Sequence, residues 1–294
     1  MPNECGPLLD VVVKHARDAF GSRERIAAEW RALNFLSPPD LARAEAEYDA
    51  FLDLVRRSGA VVRELPDVAG VGLDAIYARD ASVVTPSGMV LCRMGKALRA
   101  HEPDAQAAAF RDWTIPIAGA IHPPGCVEGG DVVWLDDRTV AVGRGYRTND
   151  AGIAQLGVLV GDGVDLVVVA LPHWRGPDDV FHLMSIVSPV DRDLAVVYSP
   201  LMPVPFRDRL RSMGYELVDV PDEEFASMGA NVLAIAPRRA VMLDGNPETR
   251  RRLERAGAEV LVYAGTEISV KGGGGPTCLT RPIRRSAAGP APAA

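Results

Sequence analysis

The stretch NVLAIAPRRAVMLDGNPETRRRLERAGAEVLVY, residues 231–263, reads as two short strands joined by a turn, a charged helix, and a third strand. Apolar residues flank a Pro-Arg turn at 237–239, the pattern of a hairpin. Gly257 supplies the left-handed position that ends a helix, and the apolar run after it opens a strand. The same ending recurs in RRSGAVVREL (56–65) and RSMGYELVDV (211–220), and more loosely in GDGVDLVVVALP (161–172). Hairpin-like pairs recur as well, in SVVTPSGMVLC (82–92), DVVWLDDRTVAVG (131–143) and MSIVSPVDRDLAVVYS (184–199). From about residue 80 the chain therefore repeats strand, strand, helix, strand, with a period of about 50 residues.

Both ends of the chain complete a fifth copy. It takes the strand after Cys278, the VVV of residues 11–13, a helix over 40–58 that starts from the cap and prolines of SPPD (37–40), and the strand VVREL (61–65). The charged stretch 14–35 between them reads as a mobile loop or helix over the surface. Units that cannot bury their apolar faces alone must stack on neighbours. Joining both termini in one unit would also remove the open edges of the array. The predicted fold is an α/β five-bladed propeller of ββαβ units with pseudo-five-fold symmetry, in one domain over 1–285, followed by a disordered tail at 286–294. An ordinary α/β sheet with hairpins is the alternative.

Composition narrows the function. Hydrophobic residues at 48% and charged residues at 24% describe a soluble globular protein. The net charge of −7 disfavours nucleic acid or an anionic membrane as partner and suits a small cation. No basic leader or membrane-length apolar run is seen, so a cytoplasmic location is expected. The four cysteines and five histidines show no zinc spacing, and no metal or cofactor is expected. A homodimer stays open.

The chemistry lies where each unit begins. Those entry points carry Asp80, Glu128, His182, Asn231 and Cys278, again about 50 residues apart. Cys278 arrives through four glycines in KGGGGPTCLTRP (271–282), a run that allows close backbone approach. Each residue has a bland reading: Asp80 as a turn, Glu128 in the tight EGG turn, His182 as a satisfied core histidine, Asn231 as a strand-start backbone partner. Matching positions in a closed ring converge on its axis, which favours one site built from Asp80, Glu128, His182 and Cys278. His173 in LPHW falls outside the repeat and reads as structural. A thiol, an imidazole and two carboxylates suit covalent catalysis on a planar cation. The carboxylates hold the guanidinium, the thiolate attacks its central carbon, and histidine serves the departing amine and then water.

With EGGD (128–131), GYRTN (145–149), FHLMS (181–185), DAIYARD (74–80) and GGGGPTCL (272–279), the sequence resembles dimethylarginine dimethylaminohydrolase, in the guanidine-modifying enzyme superfamily. The resemblance implies a five-bladed α/β propeller without metal or organic cofactor. It implies Cys278 as nucleophile, His182 as acid and base, and Glu128 as partner of both substrate and histidine. Asp80 would grip the guanidinium, Asp74 would support the site, and Arg147 and Arg99 would take the substrate α-carboxylate. Residues 14–35 would correspond to a lid over the site.

Two departures bear on the substrate. Arg79 stands where some dimethylarginine hydrolases carry an acid, and the RD pair looks more like arginine deiminase. Met184 stands where deiminases and amidinotransferases show His-x-Asp, which leaves one guanidinium nitrogen without a charged partner and tolerates N-methyl groups. The expected reaction is hydrolysis of Nω-methylated arginine to citrulline and a methylamine. The alternatives are an arginine deiminase or dihydrolase, and a catalytically silent arginine-binding module.

Overall fold

In the computed structural model, which describes residues 2–177 and 181–287, fifteen strands form five three-stranded sheets. The unit quoted at the outset comprises the antiparallel pair Val232–Ala236 and Arg239–Leu243, the helix Pro247–Arg255, and the strand Glu259–Tyr263, which returns parallel to the second strand. A parallel return needs a crossover, and the helix provides it. The helix ends where expected, with Gly257 at φ 85°. The other four sheets have the same order: a hairpin whose second strand takes a parallel third one.

The fifth sheet joins the two ends of the described chain. Thr280–Arg285 pairs antiparallel with Leu8–Val13, which pairs in parallel with Val61–Glu64 across the helix Leu41–Arg56. Hydrogen bonds then link each unit to the next: Gly129 N donates to Asp80 O at 2.8 Å, Leu183 N to Asp131 Oδ1 at 3.0 Å, and Val232 N to Ser188 Oγ at 3.1 Å. Thr277 N to Asn231 Oδ1 at 3.0 Å and Arg79 N to Cys278 O at 3.2 Å close the ring. The fold is the five-bladed α/β propeller. Its apolar side chains form separate clusters between neighbouring units. The axis is polar, with buried Asp80, Glu128, His182, Arg79, Arg281 and Glu4.

The structure refines the reading of the N-terminal segment. SPPD supplies the cap, since Asp40 accepts from Arg43 N at 2.9 Å, but not the first turn: both prolines lie outside the helix. Residues 14–35 take the helical alternative. They contain the helices Ala16–Phe20 and Arg23–Glu29, held by buried Phe20, Ile26, Leu33 and Phe35. The predicted tail at 286–294 lies outside the described residues beyond 287; Ser286 N still donates to Pro7 O at 3.0 Å. Among the described residues no helix is long and apolar enough to cross a membrane.

Candidate active site

The five entry residues stand just ahead of the first strand of their units, and the ring turns all five toward one end of the axis. A cavity of about 230 Å³ opens there, with Cys278, His182, Asn231, Met184 and Gly130 among its lining residues. A smaller polar recess continues from it past Cys278 and His182 to Asp74, Asp80, Lys96 and Arg147.

The glycine run has a steric cause. A Cβ on Gly272 or Gly274 would collide with the Tyr77 ring, and one on Gly275 with the Asn231 side chain. Gly273 sits at φ 78°, where L side chains are strained. Tyr77 in turn donates to Ile268 O at 3.3 Å, so the run is threaded past a fixed ring on its way to Cys278. The Cys278 Sγ accepts from Asn231 Nδ2 at 3.3 Å, while Asn231 Oδ1 takes both Thr277 N at 3.0 Å and Thr277 Oγ1 at 2.8 Å. Asn231 is therefore a contact of the sulfur as well as a strand-start partner. Its place in the repeat was the signal for this. Burial, then the negative charge of Asp80, push the Cys278 thiol up, against the hydrogen bonds from Asn231 and Thr277.

His182 Nε2 bonds Glu128 Oε2 at 2.8 Å, and its Nδ1 lies 3.9 Å from Asp80 Oδ1. Burial alone would favour the neutral ring, but Asp80, Asp131 and the bond to Glu128 outweigh it and push His182 up to about 9. Glu128 is held below the usual carboxylate range: its burial is outweighed by the His182 bond and the positive charges of His182 and Arg147. Its other oxygen takes the backbone N–H groups of Gly95 and Lys96 at 2.9 and 3.1 Å. Asp131, buried behind the pair, is pushed up to about 6 by desolvation. A Cβ on Gly130 would run into the His182 ring and the Asp80 carboxylate, which explains the second glycine of EGGD. Ligand atoms of Asp80, Glu128 and His182 fall within 4.8 Å of one another. With His182 pushed up to about 9, the three groups pair as imidazolium and carboxylates.

Asp80 Oδ2 accepts from Arg99 Nη1 at 2.6 Å, but its Oδ1 is buried with no hydrogen-bond partner. Arg99 lines the recess as well. Its guanidinium is bonded to Glu102 by two 2.8 Å bonds, to Asp80, and to the carbonyls of Asp74 and Tyr77. It clamps Asp80 from within the recess wall. Arg147 does line the recess, reaching Glu128 at 3.4 Å. Asp74 lines it too, and carries an ion pair that the sequence did not reveal: Lys96 Nζ donates to Asp74 Oδ2 at 2.6 Å and to Leu33 O at 2.8 Å. The segment read as a lid thus supplies Leu33 and Asn34 to the wall of the recess. His173 lies apart from the axial groups, bonding the Tyr146 hydroxyl at 2.5 Å.

Arg79 faces away from the cavity. It donates from Nε to Thr277 O at 2.9 Å and pairs with Glu4 through Nη1 and Nη2 at 3.2 and 3.3 Å, while Arg281 Nη2 donates to Arg79 O at 2.6 Å. The RD pair is therefore divided, with Asp80 in the site and Arg79 bracing the loop before Cys278. Arg79→Met is expected to destabilise the fold by about 3–5 kcal/mol in urea unfolding, because it leaves Glu4 buried without its partner.

A closed five-unit ring brings a cysteine, a histidine and carboxylates together on its axis. Residues 39–285 match the family described as N,N-dimethylarginine dimethylhydrolase, eukaryotic, and the chain belongs to that family. Among curated proteins it is 30% identical over 268 residues to the arginine deiminase of Mycobacterium marinum, with 76% of this chain and 62% of that protein covered. To the arginine deiminase of Mycobacterium avium it is 29% identical over 252 residues, with 71% of this chain and 60% of that protein covered, so the chain spans about three fifths of these relatives. Among solved structures, a cysteine-to-serine variant of the Pseudomonas aeruginosa DDAH complexed with citrulline superposes with TM-score 0.75 at 20% identity, covering 93% of this chain and 98% of that one. The substrate-bound N-terminal domain of ArgZ, a cyanobacterial arginine dihydrolase, gives TM-score 0.79 at 17% identity, covering 94% and 98%. At these identities the structural likeness concerns the fold.

Proposed function

We propose that the protein hydrolyses Nω-methylated arginine to citrulline and methylamine or dimethylamine. The observation that carries this is the unpartnered, buried Oδ1 of Asp80 beside a cavity that Cys278 and His182 both line. A buried acceptor without a donor is costly, and a guanidinium N–H would satisfy it. The bound cation would offset the charge of Asp80 that now raises the thiol, so substrate binding itself would favour the thiolate. The sulfur then adds to the guanidinium carbon, and the C–N bond to the methylated nitrogen breaks. The departing amine takes the proton held on His182, leaving an S-alkylthiouronium. Neutral His182 next removes a proton from water, hydroxide adds to the same carbon, and the C–S bond breaks as the new hydroxyl loses its proton to the free amine, releasing citrulline and the thiolate. Glu128 would hold the imidazolium in place, and Arg147 would meet the substrate carboxylate.

Preference for a methylated nitrogen is supported by Met184, buried at the cavity wall, which Phe181, Trp174, Phe225 and Met228 also line. Methyl groups fit such a wall, whereas an unmethylated N–H would lose its partner there. Free arginine as substrate is the second reading, favoured by the identity to curated arginine deiminases. The deciding experiment follows citrulline and amine release from dimethylarginine, monomethylarginine and arginine in parallel. Absence of citrulline from all three sinks the hydrolase, and arginine turning over fastest selects the second reading. Met184→Asp is expected to shift the kcat/KM ratio toward arginine by at least about tenfold, since it supplies the missing acceptor; an unmoved ratio removes Met184 from the specificity argument.

A further inference from the structure

The charges of the polar recess are almost completely matched within the protein. Asp74 faces Lys96 at 2.6 Å, Glu102 faces Arg99 through two 2.8 Å bonds, and Glu128 faces His182 at 2.8 Å. Asp80 gives one oxygen to Arg99 and keeps the other, 3.9 Å from His182 Nδ1, buried without a hydrogen-bond partner. That acceptor is prepared for a cation, and a guanidinium would take it. At the far end of the recess the surplus is of the opposite kind. Two of the three Lys96 ammonium donors are taken by Asp74 and Leu33 O, which leaves the third for an acceptor in the recess. Arg147 reaches Glu128 at 3.4 Å, well beyond the usual length of a charge-assisted bond, and lines the same recess.

A substrate carboxylate would satisfy both cations. An α-ammonium beside it would find its acceptors occupied, because Lys96 Nζ already donates to both Asp74 Oδ2 and Leu33 O. Placing a second ammonium there sets it against the Lys96 charge among largely buried side chains, where like charges repel more strongly than in water.

We propose that Lys96 makes this protein selective for the two ends of an ω-guanidino carboxylate, guanidinium at Asp80 and carboxylate at Lys96 and Arg147, with no use of an α-ammonium. This rests on the guanidine hydrolysis proposed above and widens its substrate class from amino acids to desamino guanidino acids. Lys96 is here a specificity residue. It also ties the segment at Leu33 to the site, so its loss is expected to lower activity toward every substrate, and only a ratio between substrates isolates its effect on selection.

The test compares 5-guanidinopentanoate with arginine in two ways. Calorimetric titration of the Cys278→Ser protein reads binding without turnover, and amine release by the wild-type enzyme from the Nω,Nω-dimethyl forms of both compounds reads kcat/KM. The desamino compound is expected to bind at least as tightly as arginine and to be hydrolysed at least as efficiently in its dimethyl form. Lys96→Ala is expected to lower the desamino-to-amino ratio at least tenfold in both measurements, because it frees Asp74 for an ammonium and removes a partner of the carboxylate. A tenfold or greater preference of the unaltered site for the amino acid overturns the proposal, as does a ratio that Lys96→Ala leaves unmoved. If the wild-type enzyme releases no amine from either compound, the hydrolase reading falls, and the calorimetric ratio still decides how the recess reads the tail.

Discussion

Replacing Cys278 by serine is expected to lower kcat for citrulline formation by at least about 10⁴-fold, the scale on which removal of a covalent nucleophile acts. The cause is chemical. A hydroxyl in the place of Sγ would keep the contact with Asn231 Nδ2, but its proton is held far more tightly than that of a thiol, and His182 is already protonated and cannot take it. Packing should be conserved, since Cys278 is half-buried and serine is nearly isosteric, so the urea midpoint is expected to stay within about 0.5 kcal/mol of the parent. Loss of activity at unchanged stability is the signature of a nucleophile. Residual turnover within tenfold of the parent would show that water attacks directly and that the cysteine is structural.

Glu128→Gln is expected to lower kcat by about 10²–10⁴-fold and to change the pH profile in a defined direction. The 2.8 Å bond and the charge of Glu128 help to raise His182 to about 9. An imidazolium that donates a proton to the leaving amine is active below its pKa, so activity falls as pH rises through about 9 in the parent. Removing the carboxylate charge lowers that pKa and moves the falling limb to lower pH. The same group contributes to stability. Because its folded-state value lies above the ordinary value of about 6.5, the contribution is fully present below that pH and is lost as pH rises through about 9. A pH–rate profile and urea midpoints across pH 6 to 10 check both limbs; an alkaline limb that stays in place would separate Glu128 from the titration of His182.

The repeat could be read because its punctuation is local. Gly59, Gly214 and Gly257 each sit at φ between 81° and 88°, a conformation that follows from residue type. Hairpins whose apolar residues flank short turns likewise declare themselves within a dozen residues. Asp80, Glu128, His182 and Cys278 could be placed on one axis because a ring brings equivalent positions together, whatever their distance along the chain. Arg99 shows what local pattern leaves out. KALRAHE does not reveal its partners, yet Glu102, three residues later, folds back on it, and Asp80 meets it from another element. Lys96 gave no sign at all, since its partners Asp74 and Leu33 are 22 and 63 residues away.

By itself, then, the sequence determined the order of elements, the number of units and the residue types brought to the axis, because these depend on backbone preference and hydrophobic period. Only the tertiary structure decided which charges are paired. Arg79 and Asp80 are neighbours in the chain, but one braces Thr277 from outside the cavity while the other offers an unpartnered oxygen within it. Ion pairing depends on distances across units that no local pattern encodes. In KGGGGPTCLTRP, likewise, Gly272, Gly274 and Gly275 owe their presence to Tyr77 and the Asn231 side chain, groups far away in sequence that leave no room for a Cβ.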